Sequence, residues 1–432
     1  MSSDSTQGAP TSHNTADTVS LAMSLFSAQR YTEALPLLEQ LVDAGNTPIA
    51  CILALADARE GTGDAAGAIR LLENLYRALP QDDFAVALVA ALQRAGIRAP
   101  LDEWLPRLRA AHPSSQRLAA MQAEHALKSS DFAIGFDLMP HRWSISIEQQ
   151  ATASLSCPVW DGKTFPGTLL IGTEQGLGDV VLWSSTFSDL AQRNQHALVA
   201  CDARLVPLFR RSFPTLEFAD RNTSPLAAPG SNLANRKVEA ADLARFFRRS
   251  VADFPPHRAW LVPDPARRDA LRRALHARFP GKRLIGLSWR SLRNLRTDSK
   301  NIPIEELAPL FARPDTIFVN LQYGDITADL ATLHARDLHL HLVPDIDTTH
   351  DIDGVSALAA ALDGVVSSSN TMAHIAGALG LRTWIMVPGS RYVLWYWGYT
   401  GNAVPWYPAA RILRGPPQRS WRELAVDIAA DY

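Results

Sequence analysis

The run Glu174-Gln175-Gly176-Leu177-Gly178-Asp179 ends in a carboxylate that two glycines would swing into the open. The apolar residues before it, Thr168 to Gly172, read as a buried parallel strand, and Asp179 to Arg193 read as a helix. A carboxylate carried to a crevice on such a turn is suited to take a proton from a hydroxyl nucleophile. The same residue can instead cap the helix it opens, and the local residues leave both roles open. A nicotinamide or flavin site is disfavoured. GxGxxG would need glycine at 181, where Val181 stands.

A second set of candidates lies further along. Ser367 to Gly380, "SSSNTMAHIAGALG", follows a strand and opens a helix of small residues. Ser and Asn at that junction can cap the helix, and its free amides and positive dipole end suit a diphosphate. His374, on the first turn, reads most simply as a packed or capping histidine. Trp289 to Pro303 carries Arg290, Arg293, Arg296 and Lys300 on a loop after a strand. Cations there can neutralise a leaving phosphate, or merely be solvated. Gln322 ends the strand "TIFVNLQ" and can meet a base or ribose, or be an ordinary strand-end polar residue. Tyr392 to Pro408, dense in Trp and Tyr, offers stacking faces for a sugar or base, or an aromatic core at a domain closure.

These residues need a scaffold, and the chain suggests one in two styles. Its 432 residues exceed one compact core, so two or three domains are expected. From residue 16 to about 145 the apolar positions recur at helical spacing. Arg30 to Val42 aligns with Gly63 to Tyr76 at an offset of 34 residues, pairing Ala34 with Ala68, Leu37 with Leu71, Leu38 with Leu72 and Leu41 with Leu75. That is the period of tetratricopeptide helix pairs. A third unit, Ala91 to His112, fits loosely, and a fourth, Ser129 to Met139, is weaker; an unrelated helical bundle is the alternative. From about 155 strands alternate with helices. "ALVAC", "RLIGLSW", "TIFVNLQ", "LDGVVSSS" and "TWIMVP" join "TLLIG" as strands, and the proline-rich Phe254 to Pro265 reads as a connection between two doubly wound halves facing a cleft. The last helix, Trp421 to Asp431, is expected to pack back across that connection. "RFFRR", Arg245 to Arg249, reads as a solvated helix face.

The totals exclude several classes. A formal net charge of -2 gives no field that would draw nucleic acid. Cys51, Cys157 and Cys201 are too scattered for a zinc site or disulfide framework. The polar N-terminus is no secretory signal, its first fifteen residues read as disordered, and no apolar run approaches membrane-spanning length, so a cytoplasmic protein is expected. No DxD-type metal motif sits near a strand end; the two "DID" stretches, Asp345 to Asp347 and Asp351 to Asp353, read as a loop and a helix start.

Residues 155 to about 425 resemble the glycosyltransferase region that follows tetratricopeptide repeats in bacterial proteins, and are similar to the ADP-heptose:lipopolysaccharide heptosyltransferases. The matching stretches are "PVWDG" (Pro158 to Gly162), "EQGLGD", "FVNLQYG" (Phe318 to Gly324), "SNTMAHIAGALG" (Ser369 to Gly380) and "PWYPAARILR" (Pro405 to Arg414), in this order. The resemblance implies an α-helical, tetratricopeptide-like region followed by an α/β GT-B fold of two Rossmann-like halves. The expected divisions are a tail (1–15), repeats (16–150), an acceptor-side half (155–260) and a donor-binding half with the C-terminal helix (266–432). It implies an inverting glycosyltransferase that needs no metal or cofactor, only a nucleotide-diphosphate sugar as co-substrate. Asp179 would stand where the family has its catalytic base, with Glu174, Gln175, Gly176 and Gly178 forming the acceptor-side loop. Lys300 would contact the donor phosphates, and Ser369, Asn370, Thr371, Met372 and His374 would hold the diphosphate, with Arg290 and Gln322 as further donor-side candidates. The family carries Asp where this chain has Ser369, a departure that bears on the donor more than on catalysis. The acceptor would be a protein or glycan hydroxyl, with a protein presented by the repeats; repeat arrays often dimerise, so a homo-oligomer is expected. A non-catalytic scaffold that keeps the transferase fold is the main alternative, and a sugar-nucleotide epimerase a further one.

Overall fold

The computed structural model describes residues 12–45, 47–96, 98–146, 151–153, 155–223, 234–256, 259–291, 300–389 and 393–431. Arg293, Arg296 and Tyr392 lie outside them. The chain divides into two compact units, Met1–Met121 and Gln122–Tyr432.

The first unit is helical: α1 (Ser12–Ser27), α2 (Tyr31–Asp43), α3 (Ile49–Gly61), α4 (Ala65–Ala78), α5 (Asp82–Ala95), α6 (Arg98–Ala111) and the start of α7 (Gln116–Lys128). The sequence repeat is also a packing repeat. Ala34, Leu38 and Leu41 of α2 and Ala68 and Leu72 of α4 are all buried, because an alanine at a helix crossing lets backbones approach while the leucines fill the space beside it. Asp64 caps α4, accepting the Gly67 amide at 2.8 Å. Gly61 has no side chain because the Tyr31 ring fills that place; a Cβ would lie 2.3 Å from Cδ2.

The second unit opens with the end of α7 and with α8 (Phe132–Leu138). The weak fourth repeat therefore does not extend the array: Phe132 and Phe136 sit in one core with Trp183, Trp397 and Trp406. The first sheet has β1 (Leu169–Gly172), β2 (Ala197–Cys201), β3 (Glu217–Asp220) and β4 (Arg236–Glu239), in the order β3-β2-β1-β4. Its helices are α9 (Leu177–Trp183), α10 (Phe187–Gln192), α11 (Val206–Ser212) and α12 (Ala244–Phe247). The second sheet has β5 (Arg283–Ser288), β6 (Thr316–Asn320), β7 (Leu340–His341), β8 (Gly364–Ser368), β9 (Thr383–Val387) and β10 (Ala410–Arg414), ordered β10-β9-β8-β5-β6-β7. Around it run α13 (Pro265–Arg278), α14 (Thr327–His334), α15 (Ile352–Ala361), α16 (Thr371–Ala378) and α17 (Trp421–Asp431). Both sheets are parallel throughout. This is a GT-B-like arrangement. The chain order reverses direction between β1 and β4 in one sheet and between β5 and β8 in the other, and such reversals open crevices at the strands' carboxyl ends.

Three details differ from the sequence reading. The helix expected over 179–193 is two, because Ser184 and Thr186 turn their hydroxyls back onto the carbonyls of Val181 (2.7 Å) and Trp183 (2.8 Å) and tighten the turn between α9 and α10. The C-terminal helix does not cross back over the connection. Leu424, Ala425 and Ile428 of α17 share a core with Ile304, Leu307 and Leu310, and Asp431 accepts the Trp384 indole N–H at 2.6 Å. The basic "RFFRR" is not uniformly solvated, since Arg248 is buried and donates to Asp189 (2.7 Å) and to the Ser185 carbonyl (2.9 Å). No helix among the described residues is long and apolar enough to cross a membrane.

The repeat register is tested by two leucines of the first unit. Leu72→Ala leaves a cavity at a helix crossing and is expected to cost about 2–5 kcal/mol in urea unfolding. Leu79→Ala, at a residue 50% exposed, is expected to shift it by less than about 0.5 kcal/mol.

Candidate functional site

The turn after β1 begins with Gln175 in the left-handed region, φ 65°, an unusual conformation for a residue with a side chain. Gly176 then caps α9. Asp179 is the third residue of that helix, and its Oδ2 accepts the Gly176 amide at 3.1 Å. The capping role left open by the sequence is therefore real.

Gly178 brings the two halves together. A Cβ there would lie 2.8 Å from Cδ2 of His374 and 3.3 Å from Cα of Thr371, so the first half's turn rests directly on the opening of α16. His374 is buried, with Nδ1 2.7 Å from the Tyr407 hydroxyl and its ring stacked on Trp397 at 5.3 Å. Burial, helped by the charge of Lys300, lowers its pKa to about 3, so the imidazole is neutral. Burial and the nearby Asp179 charge push the hydroxyls of Tyr396 and Tyr407 well above their usual range. Asp179, Lys300, His374, Tyr396 and Tyr407 thus form one electrostatic neighbourhood. The aromatic block took its blander role: Tyr396, Trp397, Trp406 and Tyr407 are buried, and Trp395 stacks on Trp183 of α9 at 5.3 Å.

Beside this contact is a cavity of about 190 Å³ lined from both halves. Leu177 and Arg204 come from the first half, and Leu321, Tyr323, Ile352, Thr371 and Met372 are among those from the second. Arg204, held by Asp202 at 2.9 Å, reaches across to the Thr349 carbonyl at 3.0 Å. Nothing in the local sequence marked Arg204, Thr349 or Ile352.

The remaining candidates form a buried knot at the β5–β8 reversal. Gln322 is fully buried. Its Oε1 accepts the amides of Trp289 (2.8 Å) and Arg290 (2.9 Å), and its Nε2 donates to the Arg290 and Tyr323 carbonyls. Asn370 caps α16 by accepting the Met372 amide at 2.8 Å, and its Nδ2 donates to Ser288 Oγ at 2.8 Å. Ser369 Oγ accepts the Trp397 indole N–H at 2.7 Å. Arg290 pairs with Asp329 at 2.6 Å. The amide and hydroxyl groups of Gln322, Asn370 and Ser369 are spent on shaping the turn, which leaves Thr371 and Met372 as the residues of that segment that line the cavity.

Glu174 points away from the cleft into the first half. Arg142 donates to both its oxygens, at 3.1 and 2.5 Å, and to Asp242 at 2.5 Å. Burial pushes the Glu174 carboxyl up, to about 7, against the pull of Arg142. Arg142 lies in a turn that the sequence assigned to the repeats, and no motif signalled it. Among the described residues no three His, Cys, Asp or Glu side chains gather as a metal site would need.

Over 416 residues the chain is 30% identical to protein FlbA of Caulobacter vibrioides, a match that covers 90% of this chain and 68% of that protein. No protein-family model matches it. Among solved structures it is similar to E. coli ADP-heptose lipopolysaccharide heptosyltransferase II (14% identity, TM-score 0.41, 61% of this chain and 98% of that one). It is also similar to a family 9 glycosyl transferase from Veillonella parvula (13%, 0.38, 58% and 86%) and to an O-GlcNAc transferase mutant from Thermobaculum terrenum (12%, 0.32, 98% and 90%).

Two outcomes test this geometry. Gly178→Ala drives a methyl into His374 and the Thr371 backbone and is expected to destabilise the second unit by about 1–3 kcal/mol in chemical denaturation. His374 has a folded pKa below its unfolded one, so the stability it contributes is present above about 6.5 and is lost as pH falls toward 3. His374→Gln should therefore lose stability less steeply than wild type over that window, by up to about 1.4 kcal/mol per pH unit.

Proposed function

The chain belongs to the family of protein FlbA, and on the geometry of its cleft we propose that it is an inverting glycosyltransferase. It moves a sugar from a nucleotide-diphosphate sugar to a hydroxyl of a protein or glycan acceptor. The observation that carries this reading is the contact of Gly178 with Thr371 and His374, which faces the turn bearing Asp179 with the start of α16 beside a cavity lined from both halves. Asp179 takes the proton of the acceptor hydroxyl as that oxygen attacks the anomeric carbon from the side opposite the leaving nucleoside diphosphate. The positive end of the α16 dipole and the charge of Lys300 stabilise the departing diphosphate. The apolar cavity walls, Leu321, Ile352 and Met372, suit the nucleoside end of the donor. The reaction so written uses no metal, and the helical repeats hold a protein acceptor.

A second reading, a tetratricopeptide scaffold with a silent transferase fold, is favoured by one observation. The hydroxyl of Ser369, which stands where the resemblance to the heptosyltransferases leads one to expect an acid, is taken by the Trp397 indole N–H.

Asp179→Asn separates the two. Asparagine keeps an oxygen for the Gly176 amide, so the fold and melting temperature are expected to hold. The base is gone, and transfer from a panel of nucleotide sugars should fall by about 10²–10⁴-fold. An unchanged product yield, measured by mass spectrometry of the acceptor, would refute the base assignment.

A further inference from the structure

We propose that Arg142 and Glu174 are positioning residues for Asp179, their ion pair holding the turn that carries it from β1 into α9. The turn is anchored at both ends and strained between them. At its start Thr173 donates from its hydroxyl to the Ala200 carbonyl of β2 at 2.9 Å. At its end Asp179 accepts the Gly176 amide. Gln175, in between, takes the left-handed φ of 65°, a conformation that a residue with a Cβ keeps only where its surroundings impose it. Glu174, its neighbour in the chain, is where they impose it.

Arg142 reaches Glu174 from outside the sheet, from the turn after α8. Its Nε and Nη2 meet the two carboxylate oxygens side by side, at 3.1 and 2.5 Å, and its Nη1 goes to the Met139 carbonyl (3.0 Å) and to Asp242 (2.5 Å). With Nε, Nη1 and Nη2 all committed, the fork fixes direction as well as distance. The same segment braces the far side of Asp179, where Phe136 of α8 meets Trp183, the last residue of α9, edge-on at 6.3 Å. Stability alone is a poor reason for the pair, because taking two charges out of water costs about as much as their attraction returns. Setting the path of one strained turn is a better one.

The pair keeps its full strength only while Glu174 is ionised. Burial, with the charges of Glu239 and Asp242, pushes its carboxyl up to about 7, against the pull of Arg142. These charged groups face it from the end of β4, from the turn after β4 and from the turn after α8. As pH falls through about 7 the carboxyl takes up a proton, the charge-assisted fork weakens and the turn is released. The positioning role rests on the transferase reading; the hold of the pair on the turn does not.

Both are tested on the full chain. Hydrogen–deuterium exchange read by mass spectrometry follows the amides of residues 173–183 without any turnover. Release of nucleoside diphosphate from UDP-glucose, UDP-N-acetylglucosamine, GDP-mannose and ADP-glucose, with water standing in for the acceptor hydroxyl, reads kcat and KM. Glu174→Gln is uncharged at every pH. At about pH 8 it is expected to speed exchange in that stretch about tenfold and to lower kcat about tenfold with KM unchanged, since the donor is held by the other half. Wild-type kcat should fall toward that of the variant below about pH 7, and the variant should lack this limb. Arg142→Lys keeps the charge but not the fork, so it shows the same split if Glu174→Gln fails to fold. Arg249→Gln, which removes an exposed bridge to Asp137 of α8, should match wild type in both readouts. Wild-type exchange in Glu174→Gln and Arg142→Lys overturns the proposal, as does a kcat limb near pH 7 that survives in Glu174→Gln or a loss carried by KM. Faster exchange in the variants with no turnover of any nucleotide sugar by wild type would instead count against the transferase reading alone.

Discussion

The second unit depends on a missing methyl group. With nothing but hydrogen on Cα, Gly178 lets α9 settle against the backbone of Thr371 and the edge of His374. Everything nearby follows from that approach. His374 must be neutral to sit there, Tyr407 gives its ring nitrogen a partner, and Trp397 covers its face. The carboxylate next in sequence is thereby brought close enough to the other half for its charge to act on Tyr396 and Tyr407. A larger residue at 178 would separate the halves and undo these arrangements together.

A second constraint is the satisfaction of buried polar groups at strand ends. Parallel strands that stop inside a protein leave amides and carbonyls that water cannot reach. At the β5–β8 reversal Gln322 and Asn370 take up these groups almost completely. At the β1–β4 reversal the carboxylate of Glu239, which ends β4, accepts the Thr152 amide with one oxygen, and its other oxygen has no partner among the described residues. The two sheets share that reversal, and each keeps buried polar atoms beside it without a partner among the described residues, Glu239 Oε2 in one and Trp289 Nε1 and Arg290 Nε in the other.

The scaffold was more legible in the sequence than the duties of its polar residues. "TLLIG", "ALVAC", "LDGVVSSS" and "TWIMVP" announce themselves because strands covered on both faces are continuous apolar runs. β4 does not, since Arg236 and Lys237 begin it, and neither does the two-residue β7. The 34-residue offset found the helix crossings, but α8 is helical in the same style and belongs to another core, a fact carried by its partners Trp183 and Trp406 rather than by its own residues. Within the site, the glycine turn, the start of α16 and the packed histidine could be read locally. Gln322 and Asn370 could not be assigned, because an amide that holds a turn and an amide that holds a ligand look alike until its neighbours are known. Arg142, Arg204 and Glu239 act only through residues distant in the chain, and no spacing rule reaches them.

The stacked pair Trp183 and Trp395 comes one from each half, with Phe136 and Trp406 packed edge-on around it. The halves therefore share a single interior instead of meeting at a wet seam. A hinge that swung them apart would have to expose these rings to solvent, at a cost that grows with every square ångström uncovered. The rings that fill the shared interior therefore also hold the two halves closed.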